Sequence, residues 1–180
     1  MIFLKKKLII VASAIALSVS GLAVSSYAII KAYVELSGNK ITMSDGIELN
    51  VNDGKPIIDD SEIVYEPGGT YIKEFTVENL GTLDVWYRAY PTDVQGALKD
   101  YITVTVKQQD GVILYQGSMK DASYKKAIAS TLAAGEKKTL YLELYFSEGA
   151  DNAAQAQSAS FDMTVNATQK QNNPTKDFGD

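Results

Sequence analysis

Apolar and polar residues alternate with period two through most of this chain, as expected of strands that bury one face. Ile47, Leu49 and Val51 interleave with Glu48 and Asn50, and Asn52-Asp53-Gly54 follows as a turn. Tyr71, Phe75 and Val77 share one face of the next strand, which opens after Pro67-Gly68-Gly69 and closes at Asn79-Leu80-Gly81. Leu83, Val85, Tyr87 and Ala89 come next, opposite Trp86, Arg88 and Tyr90, and the spacing predicts a hairpin between these two strands. Ile102, Val104 and Val106 lead through Asp110-Gly111, a two-residue hairpin signal, into residues 112–115. Two long amphipathic strands complete the pattern. One carries Leu140, Leu142, Leu144 and Phe146, the other Ala159, Phe161, Met163, Val165 and Ala167, and both should be core strands.

Seven or eight such strands joined by turns imply an all-β fold, an antiparallel two-sheet β-sandwich of jelly-roll or Ig-like type, with the strand order left open. Residues 119–131, with Ala122, Ala127 and Ile128, form the one insertion, either a short helix or an irregular loop over one end. The sandwich domain is expected over residues 39–169. Residues 170–180 are polar with one Pro and one Phe and read as a disordered tail.

The start of the chain follows a different rule. Lys5, Lys6 and Lys7 precede a run without charge over residues 8–30, and Ser26-Tyr27-Ala28 places small residues at −3 and −1 of a cleavage site between Ala28 and Ile29. Residues 1–28 therefore read as an export signal, and the alternative is an uncleaved membrane anchor, because about 20 apolar residues span a bilayer. On either reading the chain leaves the cytoplasm, and any membrane association runs through this uncleaved segment. Beyond the site, Ile30, Ala32, Val34 and Leu36 alternate with Lys31, Tyr33 and Glu35, so cleavage would free a strand-like arm over residues 29–38.

Charge and composition narrow the function. Removing the three signal lysines from 17 basic residues leaves 14 against 22 acidic ones, a net charge of −8 for the mature chain, which argues against nucleic acid or an anionic membrane surface as partner. There is no Cys, which excludes disulfides, thiolate metal sites, a Cys nucleophile and a lipid-modified cysteine. There is no His either, which removes Ser-His-Asp triads and His-Glu metalloprotease motifs. A non-enzymatic protein without cofactor is the expectation, with no catalytic residue to nominate. Asp59, Asp60 and Glu62 could hold calcium through hard oxygens, against the plainer reading of a solvated loop. Trp86, Arg88 and Tyr90 on an outward face could stack on a sugar, or cover the sheet, or meet another subunit.

Four stretches in fixed order carry a family resemblance. They are the export segment ending in Tyr27-Ala28; Asn39-Lys-Ile-Thr with Gly46-Ile-Glu-Leu49; Glu66-Pro-Gly-Gly69 with Lys73-Glu-Phe75 and Asn79-Leu-Gly81; and Leu132-Ala-Ala-Gly135 followed by the two long strands. With these the chain resembles the TasA/camelysin family of exported bacterial proteins, matured by a dedicated signal peptidase and including biofilm matrix fibre subunits. Ile29-Ile30-Lys31 departs from the aromatic-acidic start usual there. The resemblance implies a jelly roll whose freed arm inserts into the next subunit, giving a head-to-tail homopolymer in the extracellular matrix or on the cell surface of a bacterium. A strand of this kind offers backbone hydrogen bonds and the apolar side chains of Ile30, Ala32, Val34 and Leu36 to an open sheet edge. Such a contact is heterologous and propagates. The alternatives are an edge strand folded back on its own domain, an accessory protein that anchors fibres, or a carbohydrate-binding module. The camelysin branch carries a metalloprotease label, which a chain without His does not fit.

Overall fold

Among the described residues, the alternating segments over 47–51, 102–106, 140–146 and 161–167 become strands of an antiparallel β structure and bury the face that their pattern marked as apolar. The computed structural model describes residues 28–30, 41–43, 46–58, 63–65, 67–150, 154 and 157–179. In chain order the strands are β1 (Ala28–Ile30), β2 (Ile41–Met43), β3 (Ile47–Val51), β4 (Ile63–Tyr65), β5 (Thr70–Asn79), β6 (Val85–Gln95), β7 (Ile102–Gln108), β8 (Ile113–Ser118), β9 (Ser130–Leu132), β10 (Lys137–Phe146) and β11 (Ser160–Gln169). A six-stranded sheet runs β2-β3-β5-β10-β7-β8, a three-stranded sheet runs β11-β6-β9, and β1 pairs with β4 apart from both.

The two larger sheets contribute to one continuous apolar core. From the first come Leu49, Phe75, Val77, Val104, Val106, Leu114, Leu140, Leu142, Leu144 and Phe146; from the second come Val85, Tyr87, Ala89, Leu132, Phe161, Met163, Val165 and Ala167. β10 lies between β5 and β7, and from Leu140 to Phe146 every second residue is buried because one face of the sheet lies on the core. β11 runs antiparallel to β6 from Ser160 opposite Gln95 to Gln169 opposite Val85, with a bulge between Ser160 and Asp162. The β7–β8 hairpin forms across Asp110-Gly111 as expected, with Gly111 at φ 88° and the Asp110 carboxylate accepting from the Val112 amide at 3.1 Å.

The hairpin expected between β5 and β6 does not form. β5 pairs with β3 and β10, whereas β6 pairs with β11 and β9, so Asn79-Leu80-Gly81 carries the chain from one sheet to the other. The Asn79 side chain is fully buried and decides the matter: its amide donates to the carbonyls of Leu83 at 2.8 Å, Leu132 at 3.3 Å and Ala133 at 3.1 Å, while its oxygen accepts from the Gly81 amide at 3.0 Å. Gly81 must lack a side chain here, because a Cβ would stand 2.3 Å from the Gly46 carbonyl oxygen. Two of the motifs behind the family resemblance, Asn79-Leu80-Gly81 and Leu132 to Gly135, thus meet at one buried amide.

The insertion over residues 119–131 takes the loop form. Short 3-10 turns at Met119–Asp121 and Tyr124–Lys126 lead into β9, and no α-helix occurs among the described residues. The Ser123 hydroxyl accepts from the Lys125 amide, a local bond that competes with helical pairing. Residues 170–179, read from composition as a disordered tail, instead follow a defined path back over the outer face of β6 and β11. The Lys170 amide donates to the Asp84 carbonyl at 3.0 Å, and the Trp86 indole donates to the Asn173 carbonyl at 3.0 Å.

Candidate functional site

Two places bear on function, the arm and the outward face of the three-stranded sheet. At the first, Ala28 pairs with Tyr65, Ile29 with Val64 and Ile30 with Ile63 in an antiparallel ladder. The expected cleavage point between Ala28 and Ile29 and the first arm residue, Ile30, therefore lie within β1. The expected export segment before Ala28, the other expected arm residues Ala32, Val34 and Leu36, and the acidic residues Asp59, Asp60 and Glu62 lie outside the described residues. Among the described residues no group of three or more acidic, His or Cys side chains is placed to hold a metal ion. No described helix is long and apolar enough to cross a membrane.

The second place is built by strand pairing. β6 turns Val85, Tyr87 and Ala89 inward, so Trp86, Arg88 and Tyr90 stand on the opposite face, and the register with β11 sets Thr168, Asn166 and Thr164 beside them. These are the three residues that the sequence offers as a sugar shelf. The structure brings them together, leaving Arg88 and Tyr90 only 7% exposed each and Trp86 half-buried. The guanidinium of Arg88 lies 4.1 Å from the ring centroid of Phe178, 5.2 Å from Tyr124 and 5.4 Å from Tyr90. Its Nε donates to the side-chain oxygen Oδ1 of Asn166 at 2.9 Å, and the Asn166 side-chain amide donates to the Tyr90 hydroxyl at 3.4 Å. Burying a guanidinium is costly, and rings plus an amide are the usual compensation.

Tyr124 and Phe178 escaped the sequence reading because each is a lone aromatic in a polar stretch. Asn173 also joins this face. Its amide donates to the Thr168 hydroxyl at 3.2 Å and the Asp177 carbonyl at 2.9 Å, and its side-chain oxygen accepts from the Asp177 amide at 2.8 Å. Lys176 Nζ sits 4.7 Å, and Lys170 Nζ 5.5 Å, from the Trp86 ring. The arrangement gathers cations and rings on one face.

Elsewhere polar groups serve the fold. Tyr87 is buried with its hydroxyl donating to Gln108 Oε1 at 3.4 Å, and Gln108 donates to Ser130 Oγ at 3.2 Å. Burial pushes the pKa of the Tyr87 hydroxyl well above its usual range, with the Ser130 hydrogen bond pulling the other way. Tyr115 is also buried and its pKa is raised by desolvation; the Ser123 backbone acts on it in the opposite sense, yet its hydroxyl makes no bond of acceptable geometry. On the surface, Lys137 bridges Asp53 at 3.1 Å and Glu78 at 3.6 Å.

No known family model matches the chain, and no curated protein is similar enough to count as a relative. The functional reading therefore rests on the residues themselves.

Proposed function

We propose that this chain is a secreted, non-enzymatic subunit that polymerises into extracellular fibres of a bacterial biofilm matrix, joined by insertion of its N-terminal strand into a neighbouring copy. The observation that carries this reading is the β1 pairing. The start of the arm is a strand, and its partner β4 is a three-residue element in a sheet of two, outside both larger sheets. A ladder of three pairs holds the arm lightly, since an isolated two-stranded pair is marginal in water. Exchange for a longer edge in another copy would gain backbone bonds and bury the alternating apolar residues of the arm, at about 1.5–3 kcal/mol for each large side chain.

The ordered motifs resembling the TasA/camelysin family support the same reading, as does the all-β architecture, for which the jelly-roll arrangement is the finer form proposed. A dedicated signal peptidase would release the arm, and accessory fibre proteins would be further partners. The burial of Arg88 and Tyr90 weighs against the carbohydrate module, because a sugar shelf needs open rings. Electron microscopy of residues 29–180 beside residues 38–180, in mild acid and at neutral pH, tests the proposal. Filaments from the first and not the second are expected. Filaments of equal length from both would refute strand insertion, and monomers from both would turn the reading toward an accessory surface protein.

A further inference from the structure

We infer that the outer face of β6 and β11 is a peptide-docking cradle whose ligand is the segment 173–178, and that the same segment of a second copy is its other occupant. This contact is separate from the arm and does not depend on strand insertion.

Four observations lead there. The first is that no residue of 170–179 belongs to the apolar core, so the segment can leave without opening it. Secondly, most of the cradle comes from outside its occupant. Of the three rings around Arg88, Tyr90 and Tyr124 come from the body of the protein, as does the Asn166 acceptor, and Tyr90 and Tyr124 also pack on each other at 6.5 Å between centroids. Only Phe178 arrives with the segment.

The third observation is that the segment is bonded within itself. Asn173 bonds both the amide and the carbonyl of Asp177, and the Asp177 carboxylate accepts from the Gly179 amide at 2.9 Å, closing a loop that presents Phe178, Lys176 and the Asn173 carbonyl together. A ligand ordered in its bound form loses little freedom on binding. Finally, recognition is specific in chemistry: a ring for a guanidinium, a carbonyl for an indole N–H at 3.0 Å, and an ammonium over the indole face.

The connection to β11 is short, residues 170–172, and passes through Asn172 at φ 61° in the left-handed region. Short hinges of this kind favour exchange of identical elements between copies. In a dilute solution the chain fills its own cradle. Where copies are crowded, the high local concentration of neighbouring segments shifts occupancy to the second copy.

Trp86 is the only tryptophan of the chain, so its emission reports directly on the cradle. The full chain carrying Phe178→Ala is titrated with a peptide of residues 170–180. We expect saturable recovery of the wild-type emission, at least tenfold weaker binding by a peptide carrying the same substitution, and at least tenfold weaker binding to the wild-type chain, whose own segment competes. The full chain with Arg88→Ala has a segment and no cradle; mixed with the Phe178→Ala chain it should give a heterodimer by sedimentation that neither gives alone. Should Arg88→Ala fail to fold by circular dichroism, Tyr124→Ala takes its place as donor. Unchanged Trp86 emission of the folded Phe178→Ala chain at millimolar peptide overturns the cradle. Peptide binding without any heterodimer overturns the second copy as its occupant.

Discussion

Replacing Asn79 with alanine should destabilise the protein by about 3 kcal/mol, a large effect for one small side chain. Asn79 makes four hydrogen bonds that tie the end of β5 to the start of β6 and to residues 132–133. A typical bond contributes about 1 kcal/mol net, and a buried carbonyl left without a donor costs about 1–3 kcal/mol. The Leu132 carbonyl is in a buried contact and keeps that cost, whereas the Ala133 carbonyl belongs to an exposed residue and can turn to water. Thermal unfolding followed by circular dichroism should show a fall in Tm of about 10 °C, from about 3–4 °C per kcal/mol for a domain of this size. Asn79→Asp separates donor from acceptor. Its oxygen can still accept from Gly81, but a carboxylate would face the Leu83, Leu132 and Ala133 carbonyls, so its pKa in the folded state is raised above the unfolded value of about 3.9. The penalty is then absent below about pH 4 and grows as pH rises through the unfolded value, so this variant should lose stability on going from pH 4 to pH 7 relative to wild type. A loss under 1 kcal/mol for Asn79→Ala, or equal stability of Asn79→Asp and wild type at pH 7, would refute the reasoning.

Tyr115→Phe removes a buried hydroxyl that has no hydrogen bond and should raise stability by up to about 1 kcal/mol, while Tyr87→Phe breaks the bond to Gln108 and should lower it by about 1 kcal/mol; urea unfolding at constant m-value distinguishes the two signs. Asp53 is held below the usual carboxylate range by hydrogen bonds from Lys137 and Asn50, so its small contribution is present above the unfolded value near pH 4 and is lost as pH falls through the lower folded value. The difference in Tm between wild type and Asp53→Asn should accordingly be visible at pH 7 in low salt and shrink as pH falls below about 4; a difference that does not change with pH would point to packing.

What could be read in the sequence is what burial writes with period two. The inward residues of β3, β10 and β11 were legible because each of these strands has one face in the core, as was the β7–β8 hairpin, whose turn lies within four residues. The destination of β6 was not. Alternation looks the same whether a strand pairs with its predecessor or crosses to another sheet, and the deciding bonds run from Asn79 to residues more than 50 positions ahead. β1, β4 and β9 are three residues each, too short for any period. The covered face was half legible. Trp86, Arg88 and Tyr90 stood out as an outward trio, but the sequence could not tell that Phe178 would lie over Arg88, because a cation–ring contact needs one residue on each side and leaves no pattern.

That same sparseness is what makes the cover removable. Among the described contacts of residues 170–179 with the face are one ring on Arg88, one carbonyl on Trp86, two ammonium groups near the indole and the Asn173 bond to Thr168. Each cation–ring contact contributes about 0.5–2 kcal/mol and each hydrogen bond about 1 kcal/mol, so the cover is worth a few kcal/mol before the ordering of its residues is subtracted. Its removal would return Arg88 to water, which favours the guanidinium, and leave the aromatic faces as the chief loss. The Asn79 junction has the opposite character. The Asn79 side chain and its bond to the Leu132 carbonyl are buried, so this bond opens only with the core. A protein built this way can exchange its surface cover between copies while the fold beneath stays closed.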